Sequence, residues 1–200
     1  MAPGDDWYPL PTLEDVLNDD SGRVVLALDF DGVVNSDRPK WPDKPRKKHV
    51  RTSVGEYLIT WSPGLRDELK ALAQHPRVQI VWLTSWGPEI GAVEDLLGLP
   101  VFPRGIDTLL PSAAVPAVKH AAIAEIAETG RPYIWCDDEE AGNTDEATEF
   151  GPRLEIRPKS KYGLTPGDLE RMWAFVHAAT ADRHLTGERQ AGKDEVHETS

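Results

Sequence analysis

The chain has 200 residues, an apolar fraction of 40% and seven Trp, enough to bury one sizeable core but not two, so one domain is expected. Its 34 acidic residues outnumber its 22 basic ones, and the formal net charge of -12 repels nucleic acid and anionic membrane alike, which disfavours indiscriminate binding to either. A single Cys, Cys136, excludes an internal disulfide framework and a cysteine zinc cluster, and with no basic-then-apolar start and no run near the ~20 apolar residues of a membrane span, the expected location is the cytoplasm.

Residues 1–22 are acidic and Pro-rich and predict a surface arm with one short helix at 13–17. At Arg23 the character changes. RVVLALD (23–29) is a nearly continuous apolar run, the pattern of a strand buried on both faces of a parallel sheet. VQIVWLT (78–84) and PYIWCD (132–137) repeat it, with short strands expected at 100–102 and, on the sheet edge, at 154–156. Between these runs the apolar spacing predicts helices over 63–74, with Leu65, Leu69 and Leu72 on one face, over 88–97, and over 118–128, where Gly130-Arg-Pro stops the last. A final amphipathic helix after Thr165 turns Leu169, Met172, Trp173 and Val176 inward, and 181–200 predict a disordered polar tail. Trp82, Trp135 and Trp173 lie in apolar runs and are expected in the core. Strand and helix in alternation spell a Rossmann-like, doubly wound, mainly parallel α/β sheet with helices on both faces, spanning 23–180. Ligands of such sheets sit at the carboxyl ends of the strands.

The polar groups fall where that rule needs them. The three long runs end in Asp29-Phe-Asp31-Gly32-Val-Val-Asn35, in Thr84-Ser85 and in Asp137-Asp138. Parallel strands share their carboxyl ends, so up to four carboxylates and a hydroxyl converge on one crevice. Ionised carboxylates a few ångströms apart repel unless a cation lies between them. Oxygen-only ligands suit magnesium, and no clustered His or Cys favours zinc: His49, His75, His120 and His177 are scattered. Cys136 has no His near it in sequence and is not expected to be a nucleophile. The acidic run 137–149 lacks the alternation of a calcium-binding loop, so Glu139, Glu140, Asp145 and Glu146 are expected to begin a solvated helix.

DFDGVVN resembles the first motif of the haloacid dehalogenase-like superfamily, VWLTSW its second and IWCDDEE its fourth. IVWLTSW with LLGLP, RPYIWCDDE and GLTPGDL is similar to small bacterial and phage domains of that superfamily, some of them fused to RNA-repair modules. The likeness runs over about 24–176. It implies Asp29 as a nucleophile that forms an aspartyl phosphate and Asp31 as the acid that protonates the leaving oxygen and then activates water. It further implies magnesium held by Asp29, the Asp31 carbonyl and the Asp137/Asp138 pair, with Thr84 donating to the phosphoryl group and Gly32 and Ser85 bordering it. The superfamily's third motif supplies a Lys or Arg. Lys119 is the candidate here, although similar small domains carry it about one turn earlier, where this chain has 114–116; Lys159, Lys161 or an arginine are the alternatives.

No interval is long enough for a substrate-enclosing cap. Residues 35–62 hold a basic loop and a hairpin flap, with strands expected at 50–54 and 56–61 around Gly55. An open site suits phosphate on a large partner. Between Arg38 and Arg51 lie Lys40, Lys44, Arg46, Lys47 and Lys48, opposed only by Asp43, and Arg46, Lys47 and Lys48 are the expected contacts to a polyanion such as a nucleic-acid end; a merely solvated loop is the alternative. Trp41 either stacks on a base or anchors that loop, and Trp86 is a candidate wall of the site. The expected activity is magnesium-dependent hydrolysis of a phosphomonoester, preferably on a nucleotide or a nucleic-acid end. A small-metabolite phosphatase and a catalytically silent phosphate-binding module of the same fold are the alternatives. No oligomeric state is implied.

Overall fold

Five apolar residues in succession, Val24–Leu28, form the internal strand β1, and all five are buried. That pattern needs helices on both faces of the sheet. In the computed structural model, which describes residues 9–142, 145–148 and 150–179, β1 pairs in parallel with β4 (Val78–Trp82) on one side and β5 (Tyr133–Cys136) on the other. β7 (Gly151–Ile156) continues in parallel beside β5, and β6 (Asp145–Thr148) closes that edge antiparallel, giving the order β4-β1-β5-β7-β6. The remaining strands, β2 (Arg46–Arg51) and β3 (Glu56–Trp61), form a separate hairpin.

Successive side chains of a strand point to opposite faces, so the sheet divides its own core in two. Val24, Leu26, Leu28, Ile80, Trp82 and Ile134 pack with α2 (Pro63–Gln74), α3 (Gly91–Leu97) and α5 (166–179). Val25, Ala27, Val81, Tyr133 and Trp135 face α1 (Leu13–Leu17) and α4 (Val115–Glu128). The fold is therefore the Rossmann-like, mainly parallel α/β layer expected. Helix starts follow local chemistry: Ser62 Oγ caps α2 by accepting from Leu65 N at 3.2 Å, with Pro63 in the first turn. At α5, Thr165 and Asp168 form a capping box, Thr165 N donating to Asp168 Oδ2 at 2.9 Å.

Five expectations are corrected. Residues 100–102 form no strand, because Pro100 and Pro103 lack donors; instead Trp82 N donates to Pro103 O and Gly105 N to Trp82 O, an isolated parallel bridge between Trp82 and Arg104. Buried Arg104 is fixed there by Glu94 at 2.6 Å. Segment 154–156 belongs to β7, which is internal because β6 covers it, so Asp145 and Glu146 start a strand rather than a helix. Gly151, at φ 129°, takes part in the return between them. The first hairpin strand runs from Arg46 to Arg51, so Arg46, Lys47 and Lys48 stand on a strand and not in a loop. Finally, part of the 1–22 arm is packed into the fold: Arg131 donates to Val16 O at 2.6 Å and Arg104 N to Pro11 O at 2.8 Å. The tail read at 181–200 lies outside the described residues.

Between β1 and β4 the hairpin is the main insertion, and the stretch from β4 to α4 holds only α3, short 3-10 turns and loop. Among the described residues no large cap stands over the carboxyl edge of the sheet. No helix among them is long and apolar enough to cross a membrane.

Candidate active site

β1 delivers Asp29, β4 delivers Thr84 and Ser85, and β5 delivers Asp137 and Asp138, each within three residues of its strand's carboxyl end. The parallel register turns that common position into proximity. Carboxylate oxygens of Asp29, Asp137 and Asp138 lie within 4.8 Å of one another. Lys119, the fifth residue of α4, places Nζ 2.7 Å from Asp29 Oδ2 and 2.6 Å from Asp137 Oδ2. All three side chains of that bridge are buried.

Backbone groups finish the first two carboxylates. Asp29 Oδ1 accepts from Phe30 N at 2.6 Å, and Asp137 Oδ1 accepts from Glu139 N and Glu140 N at 3.0 and 2.9 Å. Asp138, half-buried, has a carboxylate that accepts no hydrogen bond from the described residues. Burial raises the Asp29 pKa to about 6, with Lys119 pulling it down and Asp137 pushing it up. Burial likewise pulls on Lys119, but Asp29 and Asp137 outweigh it and hold the ammonium above its ordinary range.

Asp31 is exposed and stands apart from the three-carboxylate group. Asn35 Nδ2 donates to its Oδ1 at 2.7 Å and Trp86 Nε1 to its Oδ2 at 2.8 Å. The turn that sets it out needs Gly32, whose φ is +70° and where a Cβ would overlap the Asp138 carboxylate. Thr84 is buried behind the cleft, its Oγ1 3.5 Å from Trp86 N, whereas Ser85 lines the cleft. Of the cations read from the basic segment, Lys47 lines a second cleft beside Asp31, together with Arg38 and Lys161. Arg46 and Lys48 fall on the opposite face of β2, where Val50 is buried, and the structure does not bring them to that cleft. Lys159 lines neither cleft. Trp41 is a packing anchor, its Nε1 donating to Leu164 O at 2.8 Å. Cys136 is fully buried, and burial pushes its thiol well above the ordinary range.

The first cleft, about 390 Å³, has Asp29, Asp31, Asp138, Glu139 and Glu140 on its walls against the one ammonium of Lys119. Walls that negative repel an anionic ligand on their own. With three oxygen ligands already converged, they fit a hard divalent cation, and the donor set contains no sulfur or imidazole.

A family model described as the HAD domain in Swiss Army Knife RNA repair proteins matches residues 25–169. The chain belongs to this family of HAD domains. HAD domains generally use a divalent metal, and the acidic group of this HAD domain is compatible with one. It is a HAD-type hydrolase fold with its carboxylates assembled at the family's expected edge. No curated protein and no solved structure matches the chain.

Several residues of this HAD domain's clefts escaped the sequence reading. Asn35 was visible as the end of the first motif, but its grip on Asp31 depends on the turn. Ser112 sits just before α4 and Ser160 follows β7; both border the cleft through loops whose course no local pattern encodes. Arg38 was counted among the basic residues without being placed at the site.

Proposed function

We propose that this domain is a magnesium-dependent phosphomonoester hydrolase that acts on nucleic-acid ends through an aspartyl-phosphate intermediate. The single observation that carries the reading is the position of Asp31. Its residue borders both the cleft that holds Asp29 and Lys119 and the cleft that carries Arg38, Lys47 and Lys161. A terminal phosphate would enter the first while the chain behind it follows cations in the second, a combination suited to a polyanion. The family description, which names RNA repair proteins, points the same way.

In the reaction, an Asp29 carboxylate oxygen attacks phosphorus as the bond to the leaving oxygen breaks, and Asp31 gives its proton to that oxygen. Water then attacks the aspartyl phosphate, its proton passes to Asp31, and Asp29 is freed with release of inorganic phosphate. Lys119 holds Asp29 and Asp137 in place and offsets charge on the phosphoryl oxygens. Ser85 donates from the cleft wall, with Thr84 behind it as a further donor. Gly32 leaves room for the Asp138 carboxylate at the edge of the cleft. Magnesium, held by Asp29, Asp138 and the Asp31 carbonyl with Asp137 close by, would supply charge neutralisation of the transferring group. Asp138 is the better direct ligand of the acidic pair, since it lines the cleft whereas Asp137 is fully buried behind it.

The test is phosphate release from terminally phosphorylated oligonucleotides and from sugar phosphates, with magnesium and with EDTA. Magnesium-dependent release favouring the oligonucleotide, abolished in Asp29→Asn, is expected. Equal efficiency on sugar phosphates would point to a small-metabolite phosphatase, and phosphate binding without release would point to a silent module.

A further inference from the structure

Asp31 borders a third recess, and it differs in character from the other two. Val54 and Tyr57 of the hairpin and Leu109 of the loop before α4 line it, with Trp86 as its inner wall. Those three side chains are 55%, 41% and 49% exposed, so large apolar groups from separate segments converge on one solvent-facing notch. Convergent exposed apolar surface beside a catalytic edge marks a binding site.

The notch is also built to be rigid. The Tyr57 ring lies 5.0 Å from Trp86 at 54°, and Trp86 is fixed from behind by Phe30, ring to ring at 5.2 Å, and by its own bond to Asp31. The hairpin tip is tied down where Ser53 N donates to Glu89 Oε2 at 3.0 Å and Ser53 Oγ donates to Oε1. Tyr57 is therefore held opposite Trp86 before any ligand arrives.

We propose that this notch is a stacking subsite for the heterocyclic base of the terminal nucleotide, the nucleoside that leaves when its phosphate is cleaved. The inference rests on the reading of the domain as a nucleic-acid-end phosphatase. Asp31 protonates the leaving oxygen, so the leaving nucleoside lies on the Asp31 side of phosphorus. From Asp31 two ways out are open. The basic cleft suits the phosphates that follow, and the apolar aromatic notch suits the base. Stacking on an aromatic face tolerates any sequence, because every base presents a π-face.

The experiment uses the full chain with magnesium and two terminally phosphorylated oligonucleotides, one with an intact terminal base and one abasic at that position. Wild-type kcat/KM is expected to favour the intact end by about tenfold, the scale of one base–aromatic stack. Tyr57→Ala is expected to bring that ratio close to unity, whereas Tyr57→Phe and Tyr57→Trp retain it. A fluorescent purine analogue at the terminus is expected to be quenched on binding to Asp29→Asn, and not on binding to Asp29→Asn carrying Tyr57→Ala as well. A wild-type ratio of one, or an unchanged ratio in Tyr57→Ala, overturns the stacking subsite and leaves the phosphatase reading standing. Turnover of sugar phosphates with neither oligonucleotide cleaved nor bound overturns the nucleic-acid reading and the subsite together.

Discussion

Lys119 Nζ stands 2.7 Å from Asp29 Oδ2, joining residues 90 positions apart in the chain, and the same ammonium reaches Asp137 Oδ2 at 2.6 Å. One cation thus compensates two buried carboxylates from adjacent strand ends. Removing one partner of a buried ion pair costs about 3–5 kcal/mol, because the remaining charge has neither water nor a counter-ion. Lys119→Met is expected to lose stability on that scale in EDTA and to recover part of it with magnesium, which takes over the compensation. Denaturant unfolding of variant and wild type in both buffers reads the effect. Equal stabilities in EDTA would mean that Lys119 does not compensate the pair.

Burial gives Asp29 a pKa of about 6 against an ordinary 3.8, so the folded state holds this proton more tightly than the unfolded chain. Below the unfolded value both states are protonated and the group costs nothing. As pH rises from about 4 to about 6, the unfolded chain ionises first and stability falls, with the full cost present above the folded pKa. Asn does not ionise. Asp29→Asn is therefore expected to be more stable than wild type near neutral pH in EDTA, by a few kcal/mol at about 1.36 kcal/mol per pKa unit, and equal to it near the unfolded pKa. Melting temperatures across that range test it, and an advantage that grows on acidification contradicts the burial account.

Gly32 meets two constraints at once, a left-handed φ of +70° and the Asp138 carboxylate where a Cβ would stand. The left-handed conformation costs a non-glycine residue about 1–2 kcal/mol, and the new methyl must displace Asp138. Gly32→Ala is expected to destabilise the fold by roughly that amount and to weaken magnesium binding about tenfold or more, read by titration calorimetry. Wild-type affinity in a destabilised variant would remove Asp138 from the ligand set.

Asn35 holds two things together: Nδ2 donates to Asp31, and Oδ1 accepts from Thr60 N of the hairpin at 2.9 Å. Trp86 holds the other Asp31 oxygen. A proton donor misplaced by about 1 Å loses on the order of a hundredfold in rate. Asn35→Ala and Trp86→Phe are each expected to lower kcat by about tenfold to a hundredfold with a smaller change in KM. An effect confined to KM would assign these residues to substrate binding instead.

The carboxyl-edge cluster was legible in the sequence because the runs before Asp29, Thr84 and Asp137 are almost wholly apolar, the pattern of strands covered on both faces of a parallel sheet. The reach of Lys119 was less so. It depends on α4 beginning at Val115, three residues before the apolar spacing starts, and on helical side chains leaning toward the N-terminus, which carries Nζ back over one turn to the sheet edge. The pairing of Asp145–Thr148 with β7 was hidden, since its charges suggest a helix and only the antiparallel return at Gly151 makes a strand of it. Composition identified a basic segment but not which of its cations face the site. That depends on the hairpin register, in which Lys47 lies opposite Thr60 and Arg46 opposite Trp61.

That register yields a separable expectation for nucleic-acid contact. Lys47 shares its strand face with Thr60 and lines the cleft beside Asp31, whereas Arg46 and Lys48 share theirs with buried Ile59 and Trp61 and project away from that cleft. If the chain behind a terminal phosphate runs along the Lys47 side, each cation that touches a phosphate contributes about 0.7 to the slope of log affinity against log salt on a single strand. Lys47→Ala is expected to weaken oligonucleotide binding and to reduce that slope by about one contact, with little sequence preference in the loss. Arg46→Ala and Lys48→Ala are expected to leave the slope close to that of wild type, although each removes the same unit of charge. Salt titrations of binding to Asp29→Asn backgrounds read all three. Equal slope changes in the three variants would mean that net charge alone attracts the ligand and that the cleft beside Asp31 has no part in its path.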